Sequence, residues 1–199
     1  MRFLALFSGL WLVCGSAAAN QYDQVISAAF PGYRIVQPSE RWVDKERPRD
    51  YEKERNAPAV VVGRFNHDRF EDFAAFVIYP TIKDIYDTSP GGLAICFGQE
   101  HGGYRCQLVP PFKEVRLPHT WYLERVPPGG TQTCFELARI RPWESESSRR
   151  FSEYLGTRKT IHITSDALGA SSMLGNEKYA ERIIVFQPDG SFLDCTFGH

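Results

Sequence analysis

The chain has almost no net charge: 23 Lys and Arg stand against 24 Asp and Glu in 199 residues, a formal −1. That balance excludes the broad basic field that holds a nucleic acid or an anionic membrane, so neither is expected as a partner. Outside residues 1–19 no apolar run approaches the length that crosses a bilayer, and no membrane span is expected in the rest of the chain. Gly-rich phosphate loops, Gly-x-Ser-x-Gly elbows and His-Glu-x-x-His pairs do not occur. Five Cys are too few for a disulfide-dense mini-scaffold, and none has the Cys-x-x-Cys spacing of a zinc site. What remains is an ordinary globular composition, 43% hydrophobic and 14% aromatic.

The first 19 residues read as a targeting segment. Arg2 supplies a positive start, Phe3 to Val13 an apolar stretch, and Ala17-Ala18-Ala19 a small-residue cleavage site. Val13 before Cys14 does not suit a lipoprotein signal. Cleavage after Ala19 is expected, leaving residues 20–199 as one domain in the periplasm or outside the cell.

Export leaves four cysteines, Cys96, Cys106, Cys134 and Cys195. An even number in an oxidising compartment points to disulfides. Leu93–Phe97 and Tyr104–Val109 flank Gly98–Gly103 as a hairpin, which sets Cys96 opposite Cys106. Cys134 and Cys195 are then left to pair.

The expected fold is α+β: a single domain, mainly antiparallel sheet, with a short N-terminal helix packed on it. Tyr22–Phe30 suits the helix, stopped by Pro31-Gly32, and Tyr33–Val36 a strand. Ala59–Val62 and Phe73–Tyr79 are apolar runs that suit strands buried on both faces. Trp121–Val126 and Thr133–Ala138 read as a hairpin across Pro127-Pro128-Gly129-Gly130, and Arg182–Phe186 with Ser191–Cys195 as another across Gln187-Pro188-Asp189-Gly190. Lys159–Thr164 alternates like an edge strand. Residues 40–55 hold six acidic and six basic side chains and read as a solvated connection. Trp143–Arg158 is charged and irregular or weakly helical, and Ser165–Asn176 reads as a small, polar loop.

One segment carries chemistry. Residues 61–75, Val-Val-Gly-Arg-Phe-Asn-His-Asp-Arg-Phe-Glu-Asp-Phe-Ala-Ala, resemble the FG-GAP-like calcium loop of integrin-type propellers and of many exported bacterial proteins. Its pattern is near D-x-N-x-D-G-x-x-D before an apolar strand. Asn66, Asp68 and Asp72 fall on the third, fifth and ninth positions, and the resemblance makes them candidate calcium ligands. Arg64 replaces the first Asp and Arg69 the Gly, so a metal-free turn is expected, with Arg64 paired to Asp68 or Asp72 where an ion would sit. No second copy of the loop occurs, which disfavours a propeller. The resemblance implies architecture and export, not an activity.

The leading functional expectation is a non-enzymatic exported domain that binds a protein or envelope component, for instance an inhibitor or immunity protein for a secreted toxin. The alternative is a small hydrolase, for which His67 beside Asp68 and Asp72, or Glu100-His101 with Asp166, are the available acid–base groups. Trp42, Trp121, Tyr122 and Trp143 suit a groove for sugar or peptide, or the core.

Overall fold

A computed structural model of the protein describes residues 15–40, 57–79, 91–109, 121–141, 152–172 and 181–197. One helix, α1 (Gly15–Ala29), precedes strands β1 (Arg34–Ile35), β2 (Val60–Gly63), β3 (Asp72–Ile78), β4 (Gly91–Gly98) and β5 (Tyr104–Val109). Strands β6 (Trp121–Val126), β7 (Thr131–Ile140), β8 (Ser152–His162), β9 (Ala167–Ser172), β10 (Glu181–Phe186) and β11 (Phe192–Phe197) follow. All pairings are antiparallel. The first five strands form one sheet, with β4 between β3 and β5 and with β1 and β2 sharing the other edge of β3; the last six form a second in the order β6-β9-β10-β11-β7-β8. The α+β expectation is therefore corrected: this is essentially a β-sheet domain with one helix among the described residues.

Alternation along β3 and β4 decides the layering. Phe76, Ile78, Leu93, Ile95 and Phe97 point to an inter-sheet core, where they meet Leu123, Leu168, Ile184, Phe186 and Phe192 of the second sheet. Phe73, Ala75, Val77, Ala94 and Cys96 point the other way, toward α1, whose Ile26 is fully buried. Tyr22 of the helix packs on Phe73 with ring centroids 4.5 Å apart. Both faces of β3 and β4 are thus covered, which is why these strands read as continuous apolar runs. The helix stops at Pro31-Gly32, where Gly32 takes φ +87° and a Cβ would stand 2.5 Å from the Tyr79 ring.

The second sheet departs most from the sequence expectation. Trp121–Val126 and Thr131–Ile140 are not a hairpin. β6 pairs with β9 and β7 with β8, in one unbroken register from Trp121↔Ser172 to Leu137↔Gly156. Between the two ladders the Gly129 N–H donates to the Ile163 carbonyl (2.8 Å) and the Ile163 N–H to the Gly130 carbonyl (2.9 Å). Pro127-Pro128-Gly129-Gly130 is therefore a bend within one long two-stranded ribbon, since proline withholds N–H groups from the ladder and Gly129 supplies φ +99°. The ribbon clasps the β10–β11 hairpin, with β9 on β10 and β7 on β11.

Two other readings are corrected by the same ribbon. From Ser152 onward the segment read as irregular is strand β8, and Ala167–Ser172 of the supposed loop is strand β9. Small residues suit β9 because its neighbours are close: a Cβ on Gly169 would meet the Glu124 side chain at 2.9 Å, while Leu168 and Ala170 are fully buried in the core. The edge strand expected at Lys159–Thr164 is the end of β8, which does lie at the sheet's edge. The connection 41–56, Trp42 and Trp143 lie outside the described residues.

Both expected disulfides are present. Cys96 and Cys106 face each other across β4 and β5 with Cα atoms 4.0 Å apart. Cys134–Cys195 is less local. In the β7–β11 ladder Cys195 lies opposite Leu137, yet its Cα is 5.1 Å from that of Cys134. β7 therefore parts from β11 on the N-terminal side of Glu136, next to a bulge in the β7–β8 ladder where Gly156 takes φ +117°, and turns back over Cys195. There Cys134, Leu137, Ile161, Ile163, Val185 and Cys195 form a third buried cluster, which the disulfide closes.

Candidate functional site

The calcium-like loop joins β2 to β3 and sits where the edges of the two sheets meet the bend of the ribbon. Its shape is held from inside by Asp72, which is fully buried. The Phe65 N–H donates to Asp72 Oδ2 at 2.7 Å, the Asn66 N–H to the same oxygen at 3.4 Å, and the Gly98 N–H to Oδ1 at 3.0 Å. Burial pushes the Asp72 carboxyl up to about 6, against those three N–H groups, which favour the anion. Gly98 can approach so closely because it has no Cβ; one would stand 2.5 Å from the Glu71 carbonyl oxygen.

The other two candidate ligands bond to each other. Asn66 Nδ2 donates to Asp68 Oδ2 at 2.8 Å, and the Asp68 N–H returns to Asn66 Oδ1 at 3.3 Å. Asp68 Oδ1 accepts the Phe70 N–H at 2.7 Å. Each of the three side chains proposed from the resemblance thus spends its oxygens on N–H groups of the loop or, for Asp72 Oδ1, of Gly98 on β4. The expected pairing of Arg64 with Asp68 or Asp72 is not formed among the described residues. The Arg64 N–H instead donates to Asp166 Oδ2 at 2.9 Å. No group of three or more His, Cys, Asp or Glu placed to hold a metal ion occurs among the described residues. Because calcium must compete with these bonds, we expect less than about 1 °C change in melting temperature between millimolar calcium and chelator, read by scanning calorimetry. A rise of several degrees in calcium would show that the oxygens can be recruited.

His67 completes the loop in a left-handed conformation, φ +66°. Its Nε2 lies 2.9 Å from the Phe186 carbonyl oxygen and 3.3 Å from Ser165 Oγ. A carbonyl only accepts, so Nε2 carries the hydrogen and cannot take a proton from Ser165. The Ser165 hydroxyl in turn has the Phe65 and Asp166 carbonyls as acceptors, at 3.2 and 3.3 Å. A serine and a histidine in contact here make a structural clasp between loop, ribbon and β10, not a nucleophile and its base. Of the other acid–base candidates, Glu100 pairs with Arg69 at 3.2 Å, and His101 lies in the exposed turn after β4.

Beside the loop lies an open cleft of about 400 Å³. Arg64, Arg69 and Glu71 line it from the loop, Arg125 from β6, and Asp166 from the ribbon bend, with Val62 and Gly63 of β2 completing the lining. Asp166 ties the walls together, accepting the Arg64 N–H and lying 3.8 Å from Arg125 Nε. Sequence reasoning singled out Arg64 and Arg69 only as faults in a calcium loop, and missed Arg125. Nothing local links residues 64, 125 and 166; the fold brings them together. Trp121 and Tyr122 do not line this cleft. Trp121 packs on Phe76 at 6.1 Å between centroids, and Tyr122 is buried with Ala57.

Fold and site together define a disulfide-locked, two-sheet β domain with an arginine-lined cleft at one junction of its sheets. No family model, curated protein or solved structure matches the chain.

Proposed function

We propose that the chain is an exported, non-enzymatic domain that binds a protein or envelope component. The observation that carries this reading is the make-up of the cleft. Three arginines line it, and a guanidinium stays charged at physiological pH, so it grips an anion rather than shuttling protons. The hydrolase alternative draws little from the same geometry, since His67 is committed to the Phe186 carbonyl. Export is supported by the targeting pattern of residues 1–19 and by two disulfides, which fit an oxidising compartment. The FG-GAP-like loop then serves as scaffold, a metal-free turn that presents Arg64 and Arg69.

The test is fractionation of cells making the full chain with a C-terminal tag, followed by crosslinking in the intact envelope. The exported form should begin at Asn20, and its four cysteines should resist alkylation until reduced. A crosslinked partner should be present for wild type and lost in Arg64→Gln. A protein that keeps Met1 in the cytosol overturns the export reading. Turnover of an ester or glycoside substrate that disappears in Asp166→Asn overturns the non-enzymatic one.

A further inference from the structure

The cleft has a charge count that narrows its ligand. Three arginines and two acidic residues, Glu71 and Asp166, line it, which leaves a surplus of one positive charge that the Glu100 carboxylate on Arg69 meets. A single carboxylate matches that surplus; a phosphate dianion exceeds it. Asp166 is already engaged, by the Arg64 N–H and by Arg125, and its side chain is only 14% exposed. It therefore acts as the wall that spaces Arg64 from Arg125 and does not fill the cleft.

Arg69 shows what the mouth of the cleft accepts. Its guanidinium lies 5.1 Å from the Phe70 ring centroid and holds the Glu100 carboxylate at 3.2 Å, with the two side chains 75% and 65% exposed. Such an exposed pair is worth little and exchanges readily, so an incoming carboxylate can take the place of Glu100. The planar guanidinium forks of the lining arginines suit a carboxylate.

We propose that the Arg64–Arg69–Arg125 cleft is a carboxylate-binding site that receives an acidic side chain from an acidic peptide segment of a partner protein. This rests on the binding reading above and gives it a ligand chemistry. It requires no metal and no movement of the Asp72-anchored loop.

The probe is an acetylated hexaglutamate amide, titrated into the ¹⁵N-labelled full chain at low salt while the arginine Nε–H resonances are followed. The Arg64, Arg69 and Arg125 signals should shift saturably, and the shifts should weaken with added salt. The hexaglutamine analogue should leave them unmoved. Arg64→Gln and Arg125→Gln should each weaken binding about tenfold, while Arg158→Gln, which does not line the cleft, should not. Both cleft variants should melt close to wild type, because neither side chain is buried. Equal shifts with hexaglutamine, or unchanged affinity in Arg64→Gln and Arg125→Gln, would overturn the proposal. Tighter saturation of the same signals by inorganic phosphate would overturn it too, and reassign the cleft to a phosphate. A partner crosslinked in the envelope by a surface other than the cleft would leave the binding function standing while this site failed. The two readings can therefore fail separately.

Discussion

Replacing Cys134 and Cys195 together by Ser should cost about 4 kcal/mol and lower the melting temperature by roughly 10 °C. The bond closes a loop of sequence separation 61, and the chain-entropy cost of leaving it open in the unfolded state grows with the logarithm of that length. The Cys96–Cys106 bond, of separation 10, should contribute about 3 kcal/mol on the same argument. The two losses differ in kind as well as size. Cys96 and Cys106 sit on strands already paired residue by residue, so their loss leaves the ladder in place. Cys134–Cys195 instead pins the part of β7 that has parted from β11, over a cluster containing Leu137, Ile161, Ile163 and Val185. Without it, amide exchange should quicken along Thr131–Leu137 and Gly156–His162 ahead of the rest of the domain, because local opening there no longer has to break a covalent tie. Urea melts and native-state exchange on both double variants check this. A larger loss for the Cys96/Cys106 variant, or uniform exchange in the Cys134/Cys195 one, would show that the ribbon holds without its staple.

The same contrast explains what could be read from the sequence. β3 and β4 were plain because both of their faces are covered, by the second sheet and by α1, so nearly every residue is apolar. The Cys96–Cys106 pair and the Pro188-Asp189-Gly190 turn were plain because they are local. In that turn the Gly190 N–H closes on the Gln187 carbonyl at 2.9 Å, with Gly190 at φ +81°. The ribbon was hidden by its own bend, since Pro-Pro-Gly-Gly resembles a reversal when no partner strand is known. β9 was hidden because Ala-Leu-Gly-Ala-Ser-Ser has the composition of a loop, and its reason for small residues lies in Glu124, far away in sequence. The α+β expectation rested on the N-terminal helix, which is outweighed by two full sheets once β9 and the whole of β8 are counted as strand. The candidate site divides the same way. A spacing pattern located Asn66, Asp68 and Asp72, but their work is to fold the loop, and that depends on Gly98, Ser165 and Asp166. The pattern marks where a loop of this shape stands; only the contacts tell whether its oxygens are free.

Asp72→Ala should therefore be among the most damaging single changes in the molecule, with a loss of about 3–5 kcal/mol. It strands three N–H groups in a buried site, and an unsatisfied buried donor costs about 1–3 kcal/mol. Asp72→Asn should not rescue it. Whichever way the amide is turned, its NH₂ meets a backbone N–H, from Gly98 on one side or from Phe65 and Asn66 on the other. The pH dependence separates this from a generic packing loss. The carboxyl is pushed by burial from an ordinary 3.8 up to about 6, so between those values the folded chain binds a proton that the unfolded chain releases. Stability from this group is present below about pH 4 and is lost as pH rises through about 6, by an amount on the order of 3 kcal/mol. Asp194 is pushed the same way by burial, against its Arg182 partner, and contributes equally to wild type and variant. Denaturant melts at pH 4, 5, 6 and 7 should then show wild type declining more steeply than Asp72→Asn, with the gap between them narrowing as pH rises. A gap that widens over that range would mean that the three N–H groups outweigh burial, and that Asp72 enters the fold as a carboxylate at every pH where the protein is folded.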